Sequence, residues 1–252
     1  MVLKLVQVNI FAGKYWDALI SFLKAQNADF ITAQEVTGGK ENRTDDKTAN
    51  LFELLKSQLR LHGVYHKDFD VSDDGGYMGN AVFTKHEIVS SKPVILKPFR
   101  EIRHEEFTSH EFFPSFPRHV LDATVRVNGT TMHIMSTHGA WTAPPQDTDE
   151  TQRQARLVAN YLKLLDKPFL LAGDFNNVPE SKTIGIINEV ANNLMIGSDA
   201  EQTTHPKVHK IVPRGYLVDY VFSSKEFRLK SIEAPVVTVS DHLPVIVEVE
   251  LK

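Results

Sequence analysis

Over residues 3–10 apolar positions are interrupted at Lys4 and Gln7, which predicts a strand starting almost at the first residue and ending at Asn9. The period then changes. Across residues 15–25, Trp16, Leu19, Ile20 and Leu23 recur at helical spacing, and Asn27 supplies a stop. Residues 29–34 predict a second strand that delivers Glu35 at its carboxyl end. A polar loop containing Gly38, Gly39 and residues 40–47 leads to a second amphipathic helix carrying Leu51, Phe52, Leu54, Leu55 and Leu59. Strand-like runs follow at 63–67, 80–84 and 88–96.

Residues 97–117 show no period. Pro98, Pro114 and Pro117 are mixed there with Arg100, Arg103, His104, His110 and five phenylalanines, and a structureless stretch of this length inside a compact fold suggests a lid or binding loop. Strands at 119–127 and 130–137 flank Asn128-Gly129, a strong two-residue hairpin signal, and the second strand delivers His138. A helix at 149–165 has Asp149 as its expected cap. Phe169, Leu170, Leu171 and Ala172 then read as a short buried strand that breaks at Gly173 into Asp174, Phe175, Asn176 and Asn177. A short helix at 181–190 precedes a proline-containing loop at 203–214 with Lys207, Lys210 and Arg214. The last strands are expected at 216–223, 228–234 and 245–251. Helices alternate with early and middle strands, and no linker or repeat divides the chain, so an α/β layered single domain is expected.

Composition narrows the function classes. Hydrophobic residues at 42% and charged residues at 24% of 252 positions are ordinary for a soluble globular protein. The net charge of -4 supplies no global attraction to nucleic acid, although a local contact remains open. The absence of cysteine excludes disulfides and thiol catalysis. No signal-like segment or apolar run of membrane-spanning length is present, so a cytoplasmic protein, monomeric by default, is expected.

The chemically capable residues share one position in this pattern. Asn9, Glu35, His138, Asp174, Asn176 and the pair Asp241-His242 each stand where an apolar strand gives out or just before the next begins. Singly, each has an ordinary explanation as a turn former, a solvated acid or a satisfied histidine. Together they make a kit for cutting a phosphate ester. Acids can hold a divalent cation, amides and imidazoles can neutralise phosphoryl oxygens, and one group can activate water.

Seven short motifs carry a resemblance: Val8-Asn9-Ile10, Gln34-Glu35-Val36, Gly79-Asn80-Ala81-Val82, Ser136-Thr137-His138, Gly173-Asp174-Phe175-Asn176, Val218-Asp219-Tyr220-Val221-Phe222 and Ser240-Asp241-His242-Leu243-Pro244. In this order they resemble the endonuclease/exonuclease/phosphatase superfamily, which includes pancreatic-type DNases, exonuclease III-like endonucleases, inositol polyphosphate 5-phosphatases, neutral sphingomyelinases and deadenylases. The resemblance implies a four-layer sandwich of two mixed β-sheets face to face with helices outside. It also implies Mg²⁺, with Mn²⁺ as a substitute, held by Glu35 with Asn9 and Asp241. Asp174 would orient or deprotonate the attacking water, and Asn176 would hold a phosphate oxygen. His242, its tautomer fixed by Asp219, would face the scissile phosphate from one side and His138 from the other.

The substrate is less constrained. A nuclease acting on DNA or RNA comes first, with Arg100, Arg103, Arg118, Lys207, Lys210 and Arg214 on backbone phosphates and Trp141 near a base. Glu101, Glu105, Glu106 and Glu111 weigh against it by offsetting the cations of residues 97–119. The alternative is a phosphatase or phosphodiesterase for a small substrate, such as an inositol phosphate, a nucleotide or a lipid headgroup, with Arg118 clamping one phosphate. A catalytically idle binding module on the same fold is the remaining alternative.

Overall fold

A computed structural model describes residues 1–73, 75–209 and 215–252. Lys210 and Arg214, two of the cations expected on substrate phosphates, lie outside the described residues. Among the described residues no helix is long and apolar enough to cross a membrane.

The first sheet joins β1 (Val2–Asn9), β2 (Phe30–Gly38), β3 (His62–Asp70), β4 (Tyr77–Thr84), β11 (Phe227–Glu233) and β12 (Val245–Leu251) in the order β11-β12-β1-β2-β4-β3. The second joins β5 (Glu87–Lys97), β6 (Arg118–Val127), β7 (Thr130–His138), β8 (Phe169–Asp174), β9 (Asn192–Asn193) and β10 (Asp219–Ser223) in the order β5-β6-β7-β8-β10-β9. Each contains one parallel pair, β1 with β2 and β7 with β8, so both are mixed. Leu3, Leu5, Phe30, Val82 and Val247 from the first sheet share one core with Leu121, Ala123, Leu171 and Val221 from the second, which places the sheets face to face.

The outer faces are covered by helices. Val6, Val8 and Ile31 pack on Leu19, Ile20 and Leu23 of α1 (Trp16–Gln26) and on Leu51 and Leu55 of α2 (Leu51–Leu59). Ala155, Val158 and Leu162 of α4 (Asp149–Leu162) and Ile184 and Ile187 of α5 (Lys182–Asn188) join the main core. This is the expected four-layer α/β sandwich.

The alternation within a strand explains where the chemistry sits. In β1, Leu3 and Leu5 share a face with Gln7 and Asn9, so that face turns from apolar to polar toward the strand's carboxyl end. Register puts the polar ends level: His138 pairs with Asp174 across β7 and β8, Asp174 with Asp219 across β8 and β10, and Asn9 with Gln34 across β1 and β2. Gly173 permits this row. A Cβ there would meet the carbonyl oxygen of Thr137 at 2.1 Å.

Several boundaries differ from the pattern-based reading. Strand β2 does not end before Glu35 but continues to Gly38, with a bulge between Ala33 and Val36 that puts Glu35 at φ 54°. Helix α4 is capped by Thr148, whose hydroxyl accepts from Thr151 N, and Asp149 falls in the first turn. The aperiodic stretch 97–117 contains α3 (His104–Thr108) and a 3-10 turn at Phe113–Ser115, because Ile102 and Phe116 bury against Phe69, Val71 and Met78 and anchor it.

Candidate active site

A cleft of about 510 Å³ opens at the polar strand ends. Glu35, Asp174, Asn176, Asp241, His138, His242, Arg118 and Trp141 line it. Asp174 is at the centre. Nε2 of His138 and Nε2 of His242 each lie 3.7 Å from its Oδ2, and Nδ2 of Asn9 donates to the same oxygen at 3.1 Å. Its Oδ1 accepts from the backbone N–H of Asn176 at 2.9 Å, which turns that residue to φ 52°. Nδ1 of His242 is 2.8 Å from Oδ2 of Asp219, a contact that can fix the ring's tautomer.

Asn9 meets the site in another way than expected. Its Oδ1 is engaged by the backbone N–H of Phe11 at 3.1 Å, while Nδ2 donates to Glu35 Oε1 and to Asp174 Oδ2, each at 3.1 Å. In this arrangement Asn9 holds two carboxylates as a donor. Trp141 lies 4.7 Å from the Phe113 ring and 5.2 Å from the His110 ring, so it packs into the loop above the cleft as well as lining it.

Arg118 is buried, unlike the rim cations. Its Nε donates to the carbonyl of Gly139 at 3.0 Å, and Asn176 Nδ2 donates to the same oxygen at 3.2 Å. Among the described residues, the other cations expected on a substrate backbone do not line the cleft. Arg100 Nη2 pairs with Glu106 at 2.7 Å, Arg103 Nη1 with Glu105 at 3.4 Å, and exposed Lys207 does not line it.

Two features went unread in the sequence. Gln7 and Gln34 bridge the sheets: Gln7 Nε2 donates to Gln34 and, at 3.2 Å, to Asp219 Oδ1, while Gln34 Nε2 reaches Ser136 Oγ at 3.0 Å. The signal was available, since a glutamine in an otherwise apolar strand must bury its amide against a partner. His209 also lines the cleft, its ring centroid 5.6 Å from that of His242. Nothing in an aperiodic loop marked it.

Electrostatics follow from crowding acids where water is scarce. Burial raises Asp174 to about 7 and Asp241 to about 6, in each case against the attraction of His242. Burial also disfavours charge on His242, but Asp219 and Asp174 outweigh it and hold that imidazole well above its ordinary range. Burial, then Arg118 and His242, hold His138 well below it. Ligand atoms of Asp174, Asp219 and His242 lie within 4.8 Å of one another, as do those of His209, Asp241 and His242. Half-buried Glu35 and Asp241 complete a concentration of hard oxygen donors that fits a divalent cation.

A model of the Endonuclease/Exonuclease/phosphatase family matches residues 6–242. The chain belongs to this family. Members of the endonuclease/exonuclease/phosphatase family are metal-dependent hydrolases of phosphoesters. No curated protein matches the sequence. An endonuclease/exonuclease/phosphatase from Bacteroides vulgatus superposes with a TM-score of 0.76 at 18% identity, covering 100% of both chains. A mannosyl-6-phosphatase from Bacteroides thetaiotaomicron gives 0.69 at 16% identity over 99% of this chain and 100% of that one. The human nocturnin catalytic domain with a bound sulfate gives 0.67 at 16% identity over 100% of this chain and 95% of the other. At these identities the likeness speaks for the fold alone.

Proposed function

We propose that the chain is a Mg²⁺-dependent phosphoester hydrolase, with Mn²⁺ as a substitute, and that its substrate is a compact phosphoester. The observation carrying the chemistry is the placement of Asp174 between His138 and His242 at 3.7 Å from each. Glu35 and Asp241 would hold the ion, with Asn9 fixing the first of them. When bound, the ion supplies Lewis acidity toward a phosphoryl oxygen.

The remaining steps belong to the chain's own groups. Asp174 accepts the proton of the attacking water, a task suited by a pKa raised to about 7 by burial. Asn176 and Arg118, tied to one carbonyl, present their remaining donors to phosphoryl oxygens. His242, kept cationic by Asp219, stabilises the charge that develops on phosphorus-bound oxygen. His138 faces the phosphate from the other side; burial holds it neutral, so it serves as a hydrogen-bond partner of a phosphoryl oxygen and not as acid to the leaving group.

On substrate the order taken from the sequence reverses. A nuclease was expected to draw on six basic residues, of which Arg118 alone among the described ones lines the cleft, while Arg100 and Arg103 are bound to glutamates of their own loop. A cleft walled by Trp141, Phe113 and His110 suits a small molecule better than an extended polymer. The nuclease reading keeps one supporting observation: those rings can stack on a terminal base.

The test is hydrolysis by wild type and Asp174→Ala, with Mg²⁺ and with EDTA, against small phosphomonoesters, phosphodiesters, inositol phosphates and single- and double-stranded DNA and RNA. Mg²⁺-dependent release from small esters, lost in the variant, is expected. Activity that survives in Asp174→Ala would refute the assignment, and cleavage of polymers alone would restore the nuclease.

A further inference from the structure

The loop between β2 and α2 sorts its charges. Lys40, Arg43 and Lys47 line the cleft, whereas Asp45 and Asp46 do not. Asp46 turns back on its own chain, its Oδ1 accepting from Thr48 N at 2.9 Å and Thr48 Oγ1 at 2.7 Å. The acid of this loop that does line the cleft, Glu41, has His104 Nδ1 at 3.2 Å. In the loop that supplies His104 the sorting is opposite, with Arg100 and Arg103 held by glutamates of their own loop.

The cations on the β2–α2 side are placed. The guanidinium of Arg43 lies 3.9 Å over the ring of Phe11, itself a cleft residue, and its backbone N–H donates to Ala12 O at 2.7 Å. Lys47 Nζ donates to Asn42 O at 3.0 Å, which leaves ammonium protons for another acceptor. Among the described residues none of the three is ion-paired. The cleft floor, in contrast, is acidic at Glu35, Asp174 and Asp241. One cleft therefore carries acids at its floor and, at its lip, cations without an ion pair among the described residues, of which Arg43 also draws on Asp241 of the floor while Lys40 and Lys47 do not.

We propose that this lip is a second anion site, which takes a phosphate group carried by the same substrate at a distance from the scissile one. The substrate class is then a small bisphosphate. The inference rests on the hydrolase reading only in assigning the scissile phosphate to the floor. Lysine ammonium groups and an arginine fork bind a phosphate by charge-assisted hydrogen bonds, and a solvent-facing site of this kind is sensitive to salt.

The test is calorimetric binding to the Asp174→Asn variant with Mg²⁺, using alkyl monophosphates and the matching alkanediol bisphosphates in a series of chain lengths. Bisphosphates of one preferred length should bind about tenfold more tightly than their monophosphates. That preference should fall toward the roughly twofold statistical advantage of two ends when Lys40→Ala and Lys47→Ala are added, and as salt rises from about 50 to about 300 mM. Both lysines are exposed, so the added substitutions leave the core alone and remove within the loop the bond from Lys47 Nζ to Asn42 O. Equal binding of the two series at every length, or a preference untouched by the lysine substitutions, would overturn the second site. Turnover by the unsubstituted chain is scored separately. Bisphosphate preference with no Mg²⁺-dependent hydrolysis would remove the hydrolase and leave the lip, and hydrolysis with no preference would do the reverse.

Discussion

Nδ1 of His242 and Oδ2 of Asp219 stand 2.8 Å apart, both side chains buried, and Asp219 is itself held by Gln7 from the facing sheet. His138 has no such partner, and its Nδ1 is buried with no hydrogen bond among the described residues. One imidazole is thus kept cationic and the other neutral on two sides of Asp174. Asp219→Asn removes the charge that favours the cation while keeping the shape. It should lower kcat about 10²- to 10³-fold with KM changed far less, since the lost interaction matters most as charge develops. Steady-state kinetics on the best substrate decide it, and a kcat within threefold of wild type would exclude His242 from the role given to it.

The acid cluster predicts an unusual pH dependence of stability. Burial raises Asp174 to about 7 and Asp241 to about 6, above the ordinary carboxylate value near 4. Between about pH 4 and pH 7 these groups hold protons in the folded chain that the unfolded chain has released, so their contribution to stability falls as pH rises through that window. His242, raised well above its ordinary value, adds a contribution that is complete below about 6.5 and is lost as pH rises through its folded pKa. His138 and His209, held below their ordinary range, add stability as pH rises toward about 6.5. In EDTA the melting temperature should therefore drop above about pH 6.5, and Asp174→Asn should flatten the drop. Saturating Mg²⁺ should raise the melting temperature most at the alkaline end, and Glu35→Ala should lose most of that gain. A wild-type melting temperature that is level or rising over this range in EDTA would contradict the charge balance described here.

Why the site was legible and other features were not follows from where information resides in a chain. Asn9, His138 and Asp174 close apolar strand runs, and strand register sets His138 beside Asp174, so local pattern pointed to them, whereas Asp219 opens β10 and was singled out by the motif resemblance alone. Glu35 was read at the end of its strand, although β2 runs on to Gly38, because the bulge that rotates it to φ 54° depends on pairing with β4, which local periodicity does not encode. Trp141 packs on Phe113, which joins through Phe116 to Phe69 of β3, a tertiary effect invisible in a stretch without a period. The same holds for Lys40, Arg43 and Lys47, whose loop reads as polar and nothing more.

Two glycines should respond in opposite directions. A Cβ on Gly173 would meet Thr137 O at 2.1 Å, and that carbonyl belongs to the parallel pair that sets His138 beside Asp174. Gly173→Ala should cost about 2–3 kcal/mol as the strands part, and it should lower activity even where the chain remains folded. Gly185 lies in α5 with nothing within 4 Å of the place a methyl group would take, and Gly185→Ala should stabilise by about 0.5–1 kcal/mol. Urea unfolding of both variants checks the pair, and a neutral Gly173→Ala would show that the two strands can separate without loss.

Arg118 is the buried cation nearest the chemistry, and Asp68 governs how it is held. Asp68 Oδ1 is 2.7 Å from His119 Nδ1, and its other oxygen lies 3.9 Å from Arg118 Nη1, close enough for charge attraction but too far for a hydrogen bond. Burial works against the guanidinium charge, and Asp68 is the first of the acids that favour it. Asp68→Asn leaves Arg118 without that compensation while retaining a group that can hydrogen-bond His119. The guanidinium should then lose its fixed aim at the phosphate, raising KM and the inhibition constant of inorganic phosphate together by about tenfold, with kcat falling less. Some loss of stability, up to about 3 kcal/mol, should accompany this because a buried charge is left unpaired. The phosphate inhibition constant separates positioning from mere destabilisation. If it stays at the wild-type value in folded Asp68→Asn protein, Asp68 serves the fold alone and Arg118 is aimed by Gly139.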